Sequence, residues 1–223
     1  DAALQTAAGR RDPFQAKEEH VTEQGSRYID FLVPGLIGMN LMSTGMWAIG
    51  FSIVNSRLRK LLKRLVATPM RKSHYIYAQF ASRLVFLVVE VILVALVAWL
   101  VFDVSIRGPI SAFAVTCLVG GAAFAGIGVL VGSRVGTLEA ISGLMNVIMM
   151  PMWICSGVFF SYERFPDAVK PVIRALPLTA LNDALRAVMN DGYGLAHIAP
   201  QLAILGAWTI VSGVIGLKIF KWQ

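Results

Sequence analysis

Five long apolar stretches dominate this sequence, and they decide what the chain can fold into. Each runs for about 19 to 24 residues and carries at most one charged residue. They are Phe31–Val54, Leu84–Phe102, Pro109–Gly132, Ala140–Ser161 and Ile198–Leu217. A helix rises about 1.5 Å per residue, so about 20 apolar residues cross the roughly 30 Å hydrocarbon core of a bilayer. The sequence therefore predicts an all-α, polytopic membrane helical bundle with five visible spans.

Composition argues against a soluble protein with five buried helices. Of the 223 residues, 57% are hydrophobic and only 15% are charged, whereas about a quarter of an ordinary soluble domain is charged. A soluble protein with five fully buried helices of this length would also need a far larger chain to cover them. The two cysteines, Cys117 and Cys155, both lie inside predicted spans, so they form neither a disulfide framework nor a metal-ligand spacing.

The distribution of charge predicts the orientation in the membrane. The loop between the first two spans contains no acidic residue, and basic residues cluster in its first part: Arg57, Arg59, Lys60, Lys63, Arg64, Arg71 and Lys72. Basic loops of this kind stay in the cytoplasm. We therefore expect a multi-pass protein of the cell (inner or cytoplasmic) membrane, with the residue 1 end outside and the C-terminus in the cytoplasm. The same distribution argues against nucleic acid as the partner of this net charge of +7.

An odd number of spans with an outside N-terminal end needs an explanation, because residues 1–30 are polar and have no signal-peptide pattern. We expect a sixth span to precede residue 1 in the full-length protein. Residues 1–30 would then be the tail of an extracytoplasmic segment, and residues 31–223 the transmembrane domain.

The basic loop also contains an amphipathic pattern. Between residues 56 and 70 the apolar residues recur at helical spacing, with the basic residues on the other face. Thr68-Pro69 ends the pattern, since the residue before a proline avoids helical geometry. Two interpretations are open: a helix lying on anionic lipid head groups, or a docking helix for a cytosolic partner.

The outward segment 162–197 predicts short helices that dip into or lie on the outer leaflet before the last span. Pro166, Pro171 and Pro177 divide its first half. Its second half has one apolar stripe, with three polar residues predicted to lie off it. The stripe consists of Leu178, Leu181, Leu185, Val188 and Met189, and the polar residues are Asn182, Asp183 and Arg186.

Two features inside the spans bear on packing and on a transport pathway. Gly128, Gly132 and Gly136 repeat every four residues, which lets helix backbones approach closely and favours packing within one subunit. Glu90 is the one carboxylate well inside a span, and an intramembrane charge is by default a functional candidate. Arg83 lies on the same helix face two turns away, which is too far for a direct pair without bending.

Several chemistries have no motif in the sequence. There is no Gly-x-x-x-x-Gly-Lys-Ser/Thr loop to bind nucleotide phosphates and no Gly-x-Ser-x-Gly nucleophile. The three histidines are far apart, without a paired carboxylate spacing. We therefore predict no catalytic residue and no metal site, so that the chain by itself is not an enzyme and uphill export would need energy from a partner.

Four short segments resemble the type-2 permeases (ABC-2) of ATP-binding-cassette exporters, in that family's order over about residues 31–220. They are Phe31-Leu32-Val33-Pro34-Gly35, the run from Lys63 to Met70, Ser156-Gly157-Val158-Phe159-Phe160 with Phe165-Pro166, and Leu176-Pro177-Leu178-Thr179 with Arg186. The resemblance implies six spans per subunit, of which the five visible ones are the second to sixth. It also implies that residues 162–197 form a re-entrant hairpin over the exit of the pathway.

The resemblance further implies a coupling helix at residues 56–70 that contacts an ATPase. The contacting residues would be Leu58, Leu61, Leu62, Lys63, Arg64, Leu65, Thr68 and Pro69. It implies a homodimer of permeases in membrane lipid, bound to separate ATPase subunits that hold ATP and Mg²⁺, with no cofactor bound by this chain. The function implied is export of a substrate of the drug, lipid-linked or polysaccharide class.

Two other classes of function remain possible on the residues alone. A secondary transporter driven by an ion gradient usually has inverted repeats and several intramembrane ionisable groups, whereas here Glu90 is the one candidate. A non-transporting membrane scaffold would need no polar lining, and the few polar residues in the spans do not exclude it.

Overall fold

The computed structural model describes residues 28–61, 72–102, 104–159 and 165–220. Within these ranges the chain is helical and contains no strand, as predicted. The helices are α1 (Tyr28–Leu58), α2 (Lys72–Phe102), α3 (Ile110–Gly132), α4 (Leu138–Cys155), α5 (Lys170–Ala175), α6 (Pro177–Met189) and α7 (Ala199–Ile219).

Five of these helices are long and apolar enough to cross a membrane: α1, the Tyr77–Val101 part of α2, α3, α4 and α7. This confirms the predicted number of spans, but several of the observed helix ends differ from the predicted boundaries. Residues 28–30, assigned from the sequence to the polar segment 1–30, belong to α1, where Asp30 in the first turn suits the positive end of the helix dipole. The fourth span ends at Cys155 rather than Ser161, because Gly157 takes a positive φ of 69° and turns the chain.

Helix α3 lies at the centre of the bundle. It packs most extensively against α7 and α1, and α6 lies against all three. Of the apolar window in α3, 67% is buried, compared with 17% in α2. Helices α2 and α4 contact α1 and lie at the outside of the described bundle.

Glycines on α3 bring it close to α1. A Cβ built on Gly128 would lie 2.9 Å from the carbonyl oxygen of Met46, and one on Gly132 would lie 3.3 Å from the Cα of Gly50. Both glycines therefore face another helix of the same chain. The prediction that the third glycine of the repeat, Gly136, serves helix packing is wrong. Gly136 lies beyond the end of α3, and a Cβ there would meet nothing within 4 Å.

Small residues serve the same purpose on the side of α3 that faces α7. A Cβ on Gly126 would lie 2.5 Å from the Ser212 hydroxyl, and one on Gly216 of α7 would lie 3.1 Å from the backbone nitrogen of Leu130. Without a hydrophobic force between helices in lipid, close backbone approach of this kind is the main source of packing energy.

Helix α6 lies deeper than the sequence predicts. Its apolar stripe is buried, and Asn182, predicted to lie off that stripe, is fully buried as well. The reason is that α6 is enclosed by α1, α3 and α7 and so has more than one buried face. The Asn182 amide donates a hydrogen bond to the Ser156 carbonyl at 3.1 Å, and Gly38 of α1 leaves the room that its side chain needs.

The contact of Gly128 with α1 predicts that replacing glycine by alanine changes stability differently at two positions, 128 and 213. Gly128→Ala adds a methyl group against α1 and should lower stability by about 1–3 kcal/mol, because α1 must move away. Gly213→Ala in α7 meets nothing within 4 Å, so the higher helix propensity of alanine should leave stability unchanged or raise it. Thermal unfolding of both variants in detergent measures the difference, and an equal effect on Tm would contradict the packing described.

Candidate functional site

A charged cluster joins α2 to α1. The Arg83 guanidinium forms an ion pair with Glu90, with Nη2 and Oε2 2.9 Å apart. The sequence prediction that these residues are too far apart for a direct pair is therefore wrong. Seven residues of helix separate the two Cα atoms by only about 10 Å, and two long side chains that extend towards each other close this distance.

Thr44 of α1 lies between the two charges. Its hydroxyl is 2.9 Å from Glu90 Oε1 and 2.9 Å from the Asn40 carbonyl, and it accepts a hydrogen bond from Arg83 Nη2. A hydroxyl has one proton, so Thr44 donates either to Glu90 or to Asn40. It thereby holds the ion pair of α2 against α1.

The ion pair is shielded, and it lies near the middle of the Tyr77–Val101 span. The exposed fraction of the side chain is 7% for Arg83 and 19% for Glu90. Removing charges from water is costly, and pairing them offsets much of that cost. Arg83 Nε is buried and has no hydrogen-bond partner among the described residues.

The cluster faces a cleft of about 540 Å³ between α1 and α2. Polar groups continue along it from the cluster, and the Gln79 amide donates to the Ser52 hydroxyl at 2.8 Å. Phe86, Val89 and Leu93 form an apolar wall that is exposed at the side of the bundle. Glu90, the pathway candidate from the sequence, thus lies in a cleft with a polar floor and an apolar side.

At the loop end of α1, Arg57 binds the C-terminus of α3. Its guanidinium donates to the carbonyl oxygens of Gly132 at 3.2 Å, Ser133 at 2.8 Å and Val135. The last carbonyls of a helix have no partner within it, so a cation there is favourable. The same guanidinium lies 5.7 Å from the ring centre of Phe220, directly after α7. Sequence reasoning placed Arg57 among general basic residues and missed this contact.

The predicted coupling segment 56–70 begins beside Arg57, at the end of α1. Its predicted start at residue 56 lies within α1. Residues 56–58 continue α1, and the chain then turns, with Lys60 at a φ of +58°. The Lys60 amide bonds to the Arg57 carbonyl at 2.9 Å, which tightens the last turn and ends the helix. A separate coupling helix can therefore start only after Lys60.

Two of the eight predicted ATPase contacts are described by the structure. Leu58, at the end of α1, and Leu61 are 48% and 41% exposed. The other six lie outside the described residues: Leu62, Lys63, Arg64, Leu65, Thr68 and Pro69.

At the opposite end of the bundle, Arg186 of α6 binds α1 and the turn after α4. Its Nη2 donates to the Gly157 carbonyl at 2.5 Å and to the Phe31 carbonyl at 3.3 Å. The guanidinium also lies 3.7 Å from the ring centre of Phe31. Phe31, Gly157 and Arg186 come from three of the four segments that resemble the permease family, and the structure brings them into contact. Arg186 was predicted to lie off the buried face, and it is half-buried instead.

Among the described residues, no group of three or more His, Cys, Asp or Glu side chains could hold a metal ion. The functional groups that this part of the chain offers are charged and polar side chains between packed helices.

Five membrane-length helices, one of them a glycine-lined central span, and a buried ion pair facing a cleft define a multi-pass membrane protein. Residues 2–218 match the family described as "ABC-2 family transporter protein", and the chain belongs to that family. The chain is therefore a membrane component of the ABC transporter class. It is also similar to "ABC transporter G family member 20" of Dictyostelium discoideum, with 29% identity over 183 residues. This match covers 81% of the chain and 25% of that protein, so the chain spans about a quarter of the length of the curated relative it matches.

Removing one member of the ion pair should cost more than removing both. Glu90→Gln leaves Arg83 as a buried, unpaired cation and should destabilise the protein by on the order of 3 kcal/mol. The double variant R83Q/E90Q should recover part of this loss. Thermal unfolding of the two single variants and the double variant gives the coupling between the residues. A double variant as unstable as the sum of the singles would show that the charges do not interact.

The contact at Arg186 depends on the planar fork of a guanidinium, so R186K should destabilise the protein by about 1–3 kcal/mol. R174K is the matched control, because Arg174 is exposed on the short helix α5 and its replacement should leave Tm unchanged. Chemical or thermal unfolding measures both. If the two variants unfold together, Arg186 does not hold α6 to α1.

Proposed function

We propose that this chain is the transmembrane permease of an ATP-driven exporter, coupled to an ATPase that docks on the segment after α1. The observation that carries the proposal is the Arg57 contact. It ties the ends of α1, α3 and α7 together directly before the exposed leucines of the predicted coupling segment. Family membership indicates the type of transporter. The Arg57 contact would transmit movement of the ATPase to the membrane-spanning helices.

The docking surface has the chemistry of a protein interface. Leu58 and Leu61 offer apolar area, and Arg59 and Lys60 beside them are exposed. Apolar anchors with a charged rim are typical of specific protein–protein contacts. A complementary acidic rim on the ATPase would orient the two proteins. ATP and Mg²⁺ would be bound by the ATPase, and this chain would bind no cofactor.

Movement of the docking segment would reach the spans through α1. The Arg57 guanidinium connects α1 to the last carbonyls of α3, and the glycine contact keeps these two helices in register. We therefore infer that α1 and α3 move as one body when the ATPase closes. The helices at the outside of the bundle, α2 and α4, would move relative to this body.

A second copy of the chain would complete the permease. Asn40 of α1 and Asn146 of α4 are exposed although they lie within spans. An amide facing hydrocarbon is costly, and amides of this kind form hydrogen bonds across helix interfaces. Asn146 also borders a cavity of about 440 Å³ with Met150 and Trp153. We infer that a homodimer interface covers these amides.

The proposed orientation follows from the basic loop. With residues 57–72 in the cytoplasm, the residue 1 end lies outside, the C-terminus lies inside, and α6 lies near the outer side of the cell membrane. Substrate would leave past the region that Arg186 holds together.

Copurification tests the docking surface. The full-length protein, purified in mild detergent, should bring with it an ATPase that contains a phosphate-binding loop. The double variant Leu58→Asp/Leu61→Asp should reduce the recovered ATPase at least tenfold, because two charges replace the apolar anchors.

The matched control places the same charges at the other end of the bundle. Val172 and Leu195 are 67% and 42% exposed, and their replacement by aspartate should leave ATPase recovery unchanged. Recovery that survives the Leu58/Leu61 variant would place docking elsewhere. The absence of any ATPase from the native preparation would contradict the proposed function itself.

A further inference from the structure

The cleft between α1 and α2 contains donor and acceptor capacity that its own residues do not use. Arg83 lines the cleft, and its Nε is buried and has no hydrogen-bond partner among the described residues. The Arg83 side chain is 7% exposed, so the unused donor is not simply solvated. A carboxylate accepts about four hydrogen bonds, and Glu90 receives its contacts from Thr44 and Arg83 alone in this cluster.

The net charge of the cleft decides which head groups fit. Arg83 and Glu90 cancel at 2.9 Å, and the other polar groups at the floor, on Ser52, Gln79 and Ser82, are uncharged. A ligand with a net charge would place an uncompensated charge near the middle of the span, which is costly. An uncharged or zwitterionic head group could hydrogen-bond to both members of the pair without that cost.

The rest of the cleft suits a hydrocarbon chain. Phe86, Val89 and Leu93 are exposed along one side of α2, next to the polar floor. A cavity of about 540 Å³ is within the usual range for a ligand the size of a drug or a lipid segment. Polar groups at the back and apolar groups at the open side match the two parts of an amphiphile that enters sideways from the bilayer.

We propose that the α1–α2 cleft binds a net-neutral amphiphile, with its uncharged or zwitterionic head group at Arg83 and Glu90 and its hydrocarbon chain along Phe86, Val89 and Leu93. Two sources have this chemistry: a phospholipid that resides in the cleft, or an amphiphilic export cargo. Binding itself does not depend on the proposed coupling to an ATPase, and the cargo alternative rests on the proposed function.

The test uses the full-length protein with its ATPase in lipid nanodiscs that contain a photoactivatable phospholipid. Two probes carry the same diazirine-labelled acyl chain, one on zwitterionic phosphatidylethanolamine and one on anionic phosphatidylglycerol. After illumination, mass spectrometry of proteolytic peptides locates the label. We expect label from phosphatidylethanolamine to be concentrated at residues 86–93 and to exceed that from phosphatidylglycerol at least threefold.

Two matched variants distinguish labelling in the cleft from labelling by lipid that contacts the rest of the protein surface. Val89→Trp fills the cleft and should reduce labelling at least fivefold. Val88→Trp places the same bulk one residue away, in the separate apolar pocket between α2 and α3, and should leave labelling of the cleft unchanged. Equal labelling in the two variants, or label spread evenly over the exposed face of α2, would overturn the proposal.

The preference of the cleft for a net-neutral head group can be measured separately. Glu90→Gln leaves Arg83 unpaired and should reverse the preference, so that phosphatidylglycerol labels the cleft more strongly than phosphatidylethanolamine. Lipid that merely surrounds the protein would show no such reversal. Equal labelling by both probes in the native protein would overturn the assigned ligand class.

Adding ATP and Mg²⁺ distinguishes the two sources. Labelling that falls during ATP hydrolysis identifies the amphiphile as cargo, and labelling that stays constant identifies a resident lipid. If no ATPase accompanies the protein, the proposed function fails, while the nanodisc measurement without ATP still tests the site.

Discussion

The close contact between α1 and α3 is the interaction on which the rest of the bundle depends. In a bilayer, lipid chains are as apolar as leucine, so helices associate through van der Waals packing and hydrogen bonds. Gly128 and Gly132 bring the α3 backbone against Met46 and Gly50. With α1 and α7 held on two sides of α3, a groove remains for α6, and its apolar stripe and Asn182 are both buried there.

Three arginines fasten this packed core at different depths. Arg57 binds carbonyl oxygens at the end of α3, Arg83 pairs with Glu90 and contacts Thr44, and Arg186 binds carbonyl oxygens of Phe31 and Gly157. Each guanidinium reaches several oxygen atoms at once, which the single ammonium of lysine cannot do in the same geometry. The Arg57 and Arg186 contacts are near the ends of the bundle, and the Arg83 contact is near its middle, where the cleft opens.

The number and approximate positions of the spans could be predicted from the sequence, because twenty apolar residues in a row have few other solutions. Helix ends were predicted less well. The end of α4 depends on the backbone conformation of Gly157, and the end of α1 on that of Lys60, neither of which hydrophobicity reveals. The same limit explains Gly136, whose four-residue spacing continues a pattern after the helix itself has ended.

Of the candidate site, the sequence indicated Glu90 but not the residues around it. Helical spacing gave the Cα separation of Arg83 and Glu90 correctly, and the error lay in neglecting the length of the two side chains. Thr44 could not be predicted, because its role depends on which face of α1 meets α2. Asn182 was misplaced for a related reason: a stripe pattern assumes one buried face, whereas α6 has several buried faces.

An electron cryomicroscopy structure of the full-length protein with its ATPase, determined with and without nucleotide, would show whether α1 and α3 move together. We expect the ATPase to lie against residues 58–70 and Gly128 to stay in contact with Met46 in both states, while α2 and α4 change position relative to that pair. Separation of α1 from α3 between the two states, or an ATPase bound at another surface, would contradict this expectation.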